Sequence, residues 1–259
     1  MSEFQLSKRE KKIINSSPLD VYVASNMPYE YPHKLVKPKN ASPSVVNSAE
    51  VVMMDSGIGD DNSNKDVLDK AKKFGCDFVV AKDYLHDQDL TTKSIRDFYY
   101  QYEKHDYSGD VLIPLQGNHV EHYYEVGEPE KVLIGGIRDF SSKKQVEIVQ
   151  EFRNEVGNDI YVHGLGMGMS KTFVKAIRED PKMLDSIDCS TPEQNAINDK
   201  ISDAELKQMQ YTTCKGKHSS AMRYRISQLM AVQLNYVMTD FCDMDIYSEN
   251  EKVGSVFNF

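Results

Sequence analysis

Short apolar runs recur along the chain, and most are followed by a polar stretch with helical spacing. The runs fall at residues 21–24, 51–54, 78–81, 111–115, 132–134, 160–163 and 187–189. Several are rich in Val and Ile, apolar on both faces, as strands of a covered parallel sheet must be. Between them, Val67, Leu68, Ala71 and Phe74 form one stripe over 65–74, and Ile95, Phe98, Tyr99 and Tyr102 another over 94–104. Residues 144–156 place Val146, Ile148, Val149, Phe152 and Val156 on one face, and 169–179 carry Phe173, Val174 and Ile177. That periodicity is what a helix packed on a sheet requires.

From Val51 onward the strands recur about every 20 to 35 residues, roughly the length of one βα unit. Repeated βα units make either an open doubly wound sheet or a closed barrel. The glycine fingerprint of a dinucleotide site is missing, so the pattern predicts an α/β fold of the (β/α)8 TIM type. Seven strands are visible, and the only candidate for an eighth is the weak run 209–213. Residues 26–48 hold four prolines and read as a long irregular connection. Residues 1–18 read as a polar N-terminal extension, and 193–259 as a reduced C-terminal helical region. Within the latter, 193–210 is polar, 219–238 is a helix, and 249–259 is a frayed or docking tail.

Composition adds bounds. A chain of 259 residues, 40% hydrophobic and 27% charged, is the size of one barrel domain with a full core. The net charge of −9 and pI near 5.3 run against the basic character of most nucleic-acid binders, so any such contact needs a local basic strip. Candidates for one are Arg138, Lys143, Lys144, Lys215, Lys217, Arg223 and Arg225. Four scattered cysteines, at 76, 189, 214 and 242, suit free thiols in a reducing compartment. No secretory signal and no membrane-spanning run is visible, which leads to an expectation of cytoplasmic residence without membrane partners.

In a parallel barrel the reacting groups lie at the C-terminal ends of the strands. Those ends carry Asp55-Ser56-Gly57, Lys82-Asp83, Gln116-Gly117, Gly135-Gly136, His163-Gly164 and Asp188. Taken singly, each has an ordinary reading. An Asp after a strand often caps the next helix, a glycine pair makes a turn, and His163 suits an interior position. Together, three acids, an amide and exposed backbone N–H groups suit a flat, hydrogen-bond-rich ligand such as a purine. Lys82 at a strand end also admits Schiff-base chemistry in an unrelated barrel enzyme.

These residues also carry a resemblance. Tyr161-Val-His-Gly-Leu-Gly166, a helix, and then Asp185-Ser-Ile-Asp-Cys189 are similar to the strand–helix–strand signature of the tRNA-guanine transglycosylases. Met54-Asp-Ser-Gly57, Leu115-Gln-Gly117 and Ile134-Gly-Gly-Ile137 resemble further motifs of that family, in the same order. The resemblance implies that Asp188 is a nucleophile attacking the ribosyl C1′, with Asp55 assisting proton transfer and base recognition. It implies that Ser56, Gly57, Asp83, Gln116, Gly117, Gly135, Gly136, His163 and Gly164 surround the base.

The departures are informative. A methionine that stacks on the base in the family is His163 here, and the family's aromatic after Asp-Ser-Gly is Gly59. The tRNA-contacting arginine is absent from Thr191-Pro-Glu-Gln-Asn195. Of the structural zinc motif only Cys214 and His218 remain, too few for a closed tetrahedral site, so neither zinc nor another cofactor is expected. The chain therefore looks closest to the viral and bacterial members that exchange guanine in DNA for a 7-deazaguanine such as preQ0, with tRNA as the alternative polymer. A homodimer or partner proteins accompany that expectation.

Overall fold

The computed structural model describes residues 5–57, 59–167, 169–198, 200 and 219–239. Eight parallel strands close into a barrel in sequence order. They are β1 (Asp20–Ala24), β2 (His33–Val36), β3 (Val51–Met54), β4 (Phe78–Val80), β5 (Asp110–Leu115), β6 (Lys131–Ile134), β7 (Tyr161–Gly164) and β8 (Ser186–Cys189). Closure is made by β8 pairing with β1, with Tyr22 opposite Asp188. The described helices are α1 (Lys8–Asn15), α2 (Pro43–Val46), α3 (Asn64–Phe74), α4 (Gln88–Tyr102), α5 (His119–Glu125), α6 (Ser142–Val156), α7 (Lys171–Glu179), α8 (Thr191–Ile197) and α9 (Ser220–Met238).

Two expectations are corrected here. The region 26–48 is not an irregular connection throughout, because it contains β2, the eighth strand, and α2. The weak candidate at 209–213 lies outside the described residues, as does the tail 249–259. β2 escapes the hydrophobic pattern because its buried second residue is Lys34. The Lys34 ammonium donates to Met27 O at 2.9 Å, Tyr29 O at 2.6 Å and Ser48 Oγ at 2.5 Å. Three acceptors satisfy its three protons, so a charged side chain fills a core position. Burial still pulls its pKa down to about 7.

The N-terminal segment is likewise more than a polar extension. α1 buries Ile13 and Ile14 against β1 and α9, in a cluster with Val23, Tyr29, Tyr31, Ile226 and Met230. β1 and β2 are joined without a helix, and α2 is a single turn. α1, α8 and α9 cover that side of the barrel instead. α9 carries polar residues on its buried face, each with a partner: Ser227 Oγ donates to Tyr29 OH at 3.0 Å, Gln228 Nε2 to Glu30 O at 2.7 Å, and Asn235 Nδ2 to Tyr31 OH at 2.5 Å. The helix thereby pins the β1–β2 loop.

Alternation along the strands separates two cores. Tyr22, Leu35, Met53, Val80, Leu112 and Leu133 point inward and fill the barrel. Val21, Ile134, Val162 and Ile187 point outward against Phe152, Phe173 and Ile177 of the helical layer. Each fully buried aliphatic or aromatic side chain contributes about 1.5–3 kcal/mol relative to exposure. A filled interior of this kind is a rigid platform, and it leaves only the strand ends free for chemistry.

Candidate active site at the barrel mouth

The inward rows continue past the strand ends. Asp55 follows Val51 and Met53, Gln116 follows Leu112 and Pro114, and Asp188 follows Ser186 along β8. None of the three strand-end acids caps a helix. Ser63 caps α3 and Asp87 caps α4, each through its side chain, and Ser190 is the residue before α8. The capping explanation for Asp55, Asp83 and Asp188 therefore falls, and all three are buried.

On one side of the mouth Asp55, Asp83 and Gln116 form a connected group. Gln116 Nε2 donates to Asp83 Oδ2 at 2.6 Å, and Gln116 Oε1 accepts from His86 N at 3.2 Å. The Gln116 backbone N–H donates to His122 Nδ1 at 2.9 Å, so the His122 proton sits on Nε2, 3.0 Å from Thr92 Oγ1. Burial lowers the His122 pKa, which favours this neutral ring. Gln116 is itself fully buried and serves as the connector that orients Asp83.

Burial, then the nearby Asp83 charge, pushes the Asp55 carboxyl up to about 7. Lys37 and the Gly57 N–H oppose the shift, and Asp188 adds to it. Asp83 is raised by burial as well, with the Gln116 hydrogen bond opposing. Lys37 was missed in the sequence because its strand was missed. It is the residue after β2, half-buried, and its side chain reaches the turn at Gly57, which has φ +77°. Ser56 Oγ is buried with no partner among the described residues.

The glycine pair after β6 allows close packing on the Gln116 amide. A Cβ on Gly135 would stand 2.6 Å from Gln116 Nε2, and one on Gly136, which has φ +71°, would collide with Gln116 Oε1. His119 Nε2 lies 2.8 Å from Gly135 O and fixes that peptide. In a trans peptide the next N–H points the opposite way. The Gly136 N–H is thus aimed away from His119 and carries no hydrogen bond among the described residues. Beside it opens a cleft of about 300 Å³ lined by His86, His119, Gly136, Phe140 and Ile148, among others. Gly117 turns against Gln88, and Gly164 closes β7 against Met167.

On the other side stands Asp188. Its Oδ1 accepts the Gly166 N–H at 2.6 Å, while Oδ2 carries no hydrogen bond among the described residues. His163 lies beneath it, fully buried, with Nε2 3.6 Å from Asp188 Oδ1. The neighbouring Cys189 thiol is pushed up by burial, which makes it a poor nucleophile.

The structure thus brings Asp55, Asp83 and Gln116 together, with Gly135 and Gly136 against them and Asp188 facing them. Lys82 is turned elsewhere: its ammonium donates to Asn62 O at 2.9 Å and Asp60 O at 3.2 Å, which argues against a Schiff-base role. The basic candidates divide. Arg138, Lys143 and Lys144 are exposed at the start of the β6–α6 segment, on the mouth side. Arg225 instead pairs with Glu10 at 2.5 Å and ties α9 to α1, which removes it from a surface strip. Arg223 is engaged by a partner, and Lys215 and Lys217 lie outside the described residues.

Among the described residues no group of three or more His, Cys, Asp or Glu side chains is arranged to hold a metal ion, and no helix is long and apolar enough to cross a membrane. Cys214 and His218 lie outside the described residues. No family model matches the chain, and no curated protein matches it in sequence.

Proposed function

We propose that this chain is a base-exchange glycosyltransferase that replaces guanine in DNA with a 7-deazaguanine of the preQ0 type, through a covalent glycosyl intermediate on Asp188. The observation that carries the reading is the unequal surroundings of two buried acids at one barrel mouth. Asp188 has one oxygen held by a backbone N–H and the other without a hydrogen bond among the described residues, whereas Asp55 is pushed up to about 7. Pairs of carboxylates driven into different environments are how one site supplies both a nucleophile and an acid.

In the first step Asp188 Oδ2 attacks C1′, the bond to guanine breaks, and Asp55 gives the departing base a proton. In the second step the nitrogen of the incoming base attacks C1′, the ester to Asp188 breaks, and Asp55 takes the proton released. Two inversions preserve the anomeric configuration, as in retaining glycosidases. Asp83 accepts from the base's N–H groups, and the Gly136 N–H donates to its carbonyl. The target nucleotide reaches the mouth only by leaving its stack. Exposed Phe140 offers a stacking face at the rim, and Arg138, Lys143 and Lys144 supply local positive charge. A Coulombic contribution of that kind weakens as salt rises.

The test is an exchange assay with the purified chain, labelled guanine in single-stranded DNA, duplex DNA or tRNA, and preQ0 as acceptor. Release of labelled guanine from DNA is the expected result. Release from tRNA alone moves the assignment to that polymer, and no release from any of the three refutes base exchange.

A further inference from the structure

Asp188 stands at the end of a polar chain that runs down through the barrel interior. His163 Nδ1 lies 2.7 Å from Ser186 Oγ, and Ser186 Oγ lies 2.6 Å from Tyr161 OH. The Tyr22 ring lies close by, packed against both His33 and His163. His163 and Ser186 are fully buried, Tyr22 almost so, and the Tyr22 ring stands edge-on to the imidazole at 5.7 Å and 76°. The remaining polar atom of this group, His163 Nε2, has no hydrogen-bond partner among the described residues. Its nearest charged neighbour is Asp188 Oδ1 at 3.6 Å, beyond hydrogen-bond length.

A buried, unpartnered ring nitrogen is costly, and buried polar atoms normally have partners. Its environment also constrains the proton. An ionised carboxylate is an acceptor only, so a bare Nε2 facing it sets lone pair against lone pair. With the proton on Nε2, Nδ1 becomes an acceptor, and Ser186 must give it its single hydroxyl proton. Ser186 Oγ then accepts from the Tyr161 hydroxyl. Every donor along the chain points toward Asp188.

We propose that His163 is a positioning residue for Asp188, held as the Nε2–H tautomer by the Ser186–Tyr161 pair and donating to Oδ1 when substrate draws the carboxylate in. This inference rests on the reading of Asp188 as nucleophile. Hydrogen bonds of this type are often long in the empty enzyme and tighten in the complex. The Gly166 N–H and the His163 Nε2–H then hold Oδ1 together and leave Oδ2 to attack. When the ester forms, Oδ1 becomes its carbonyl oxygen. When the ester breaks, the electron pair of the C1′–Oδ2 bond returns to the carboxylate, and the same two donors receive the restored charge. No proton leaves the chain in either step. A side chain that lies beneath the acid, inside the packed barrel, thereby acts on the orientation of the nucleophile and not on the base above it.

The tautomer is read directly, without turnover, from the imidazole nitrogen resonances of the full chain labelled with 15N-histidine, His163→Gln identifying the His163 signals. An unprotonated Nδ1 and a protonated Nε2 are expected. Protonation of Nδ1, in either the other tautomer or the imidazolium, overturns the chain's direction and the proposal. In single-turnover exchange, His163→Leu is expected to slow formation of the covalent adduct by about 100-fold, the scale of a small misplacement of a reacting group, with DNA affinity unchanged. His163→Gln, which keeps an N–H donor, is expected to restore part of that loss. A His163→Leu variant as fast as the wild type contradicts the proposal. If the wild type exchanges no base, the function fails but the nitrogen resonances still decide the tautomer.

Discussion

The two ends of the barrel carry the same side chain to opposite effect. At the base, Asp77 and Asp185 are exposed and their carboxylates serve the backbone. Asp77 Oδ2 accepts Val52 N–H at 2.8 Å, and Asp185 Oδ2 accepts Val162 N–H at 2.7 Å and Arg153 Nη2 at 2.8 Å. At the mouth, Asp55 and Asp83 are buried, the Asp83 charge adds to Asp55's cost of ionising, and Lys37 opposes the shift at both. The base acids stitch one strand's start to the next. The mouth acids are held at a cost in stability, as reacting groups commonly are. In a barrel the mouth is where chemistry is expected and the base is where stability is.

Substitutions can break this contrast. The largest effect is expected from Asp188→Asn, which removes the nucleophile: exchange falls by about 10⁴-fold or more while the urea midpoint stays near that of the wild type. A large loss of stability would instead make Asp188 a structural acid like those at the base.

Asp55→Asn comes next and tests pH. The folded protein binds the Asp55 proton up to about pH 7, whereas an unfolded Asp releases it near its ordinary value of 3.8. Between those pH values the folded state holds more protons, so this group's contribution falls as pH rises through the window and stays low above it. Asp55→Asn should therefore stabilise the fold at pH 8, by up to roughly 4 kcal/mol, and abolish the limb near pH 7 in the rate of guanine release. Equal denaturation profiles for the two proteins at pH 8 would contradict it.

Arg153→Met probes the base. The buried guanidinium donates to Met183 O at 3.0 Å, Ile160 O at 2.9 Å and Gly157 O at 3.3 Å, as well as to Asp185. Its loss leaves those acceptors unserved and should lower stability by about 3 kcal/mol, with exchange per folded molecule unchanged. The smallest effect is expected from Asp83→Asn. With that charge gone, the Asp55 limb should move to lower pH by roughly one unit or less; a move to higher pH would reverse the assigned repulsion.

The sequence was readable where physics is local. The apolar runs match seven strands to within a residue or so, and the stripes on α3, α6 and α7 follow the packed faces. β2 was not readable, because Lys34 is rendered core-compatible by Met27 O, Tyr29 O and Ser48 Oγ, contacts that only the folded loop assembles. With β2 went Lys37, the cation of the mouth. α1 hid its buried Ile13 and Ile14 in a run of lysines, and Arg225 looked like surface until Glu10 of a distant helix met it. The strand-end acids were visible as residues, but a cap and a buried acid look alike in a sequence. Ser63 and Asp87 taking the helix ends decided between them.

The central claim is a covalent bond to Asp188. Full-length protein is mixed with a guanine-containing DNA strand, quenched in acid and denaturant, and its intact mass measured. A mass increase equal to one DNA strand less one guanine is expected, absent from Asp188→Asn and chased away by preQ0. An adduct that persists in Asp188→Asn, or its absence from the wild type while guanine is being released, would contradict it.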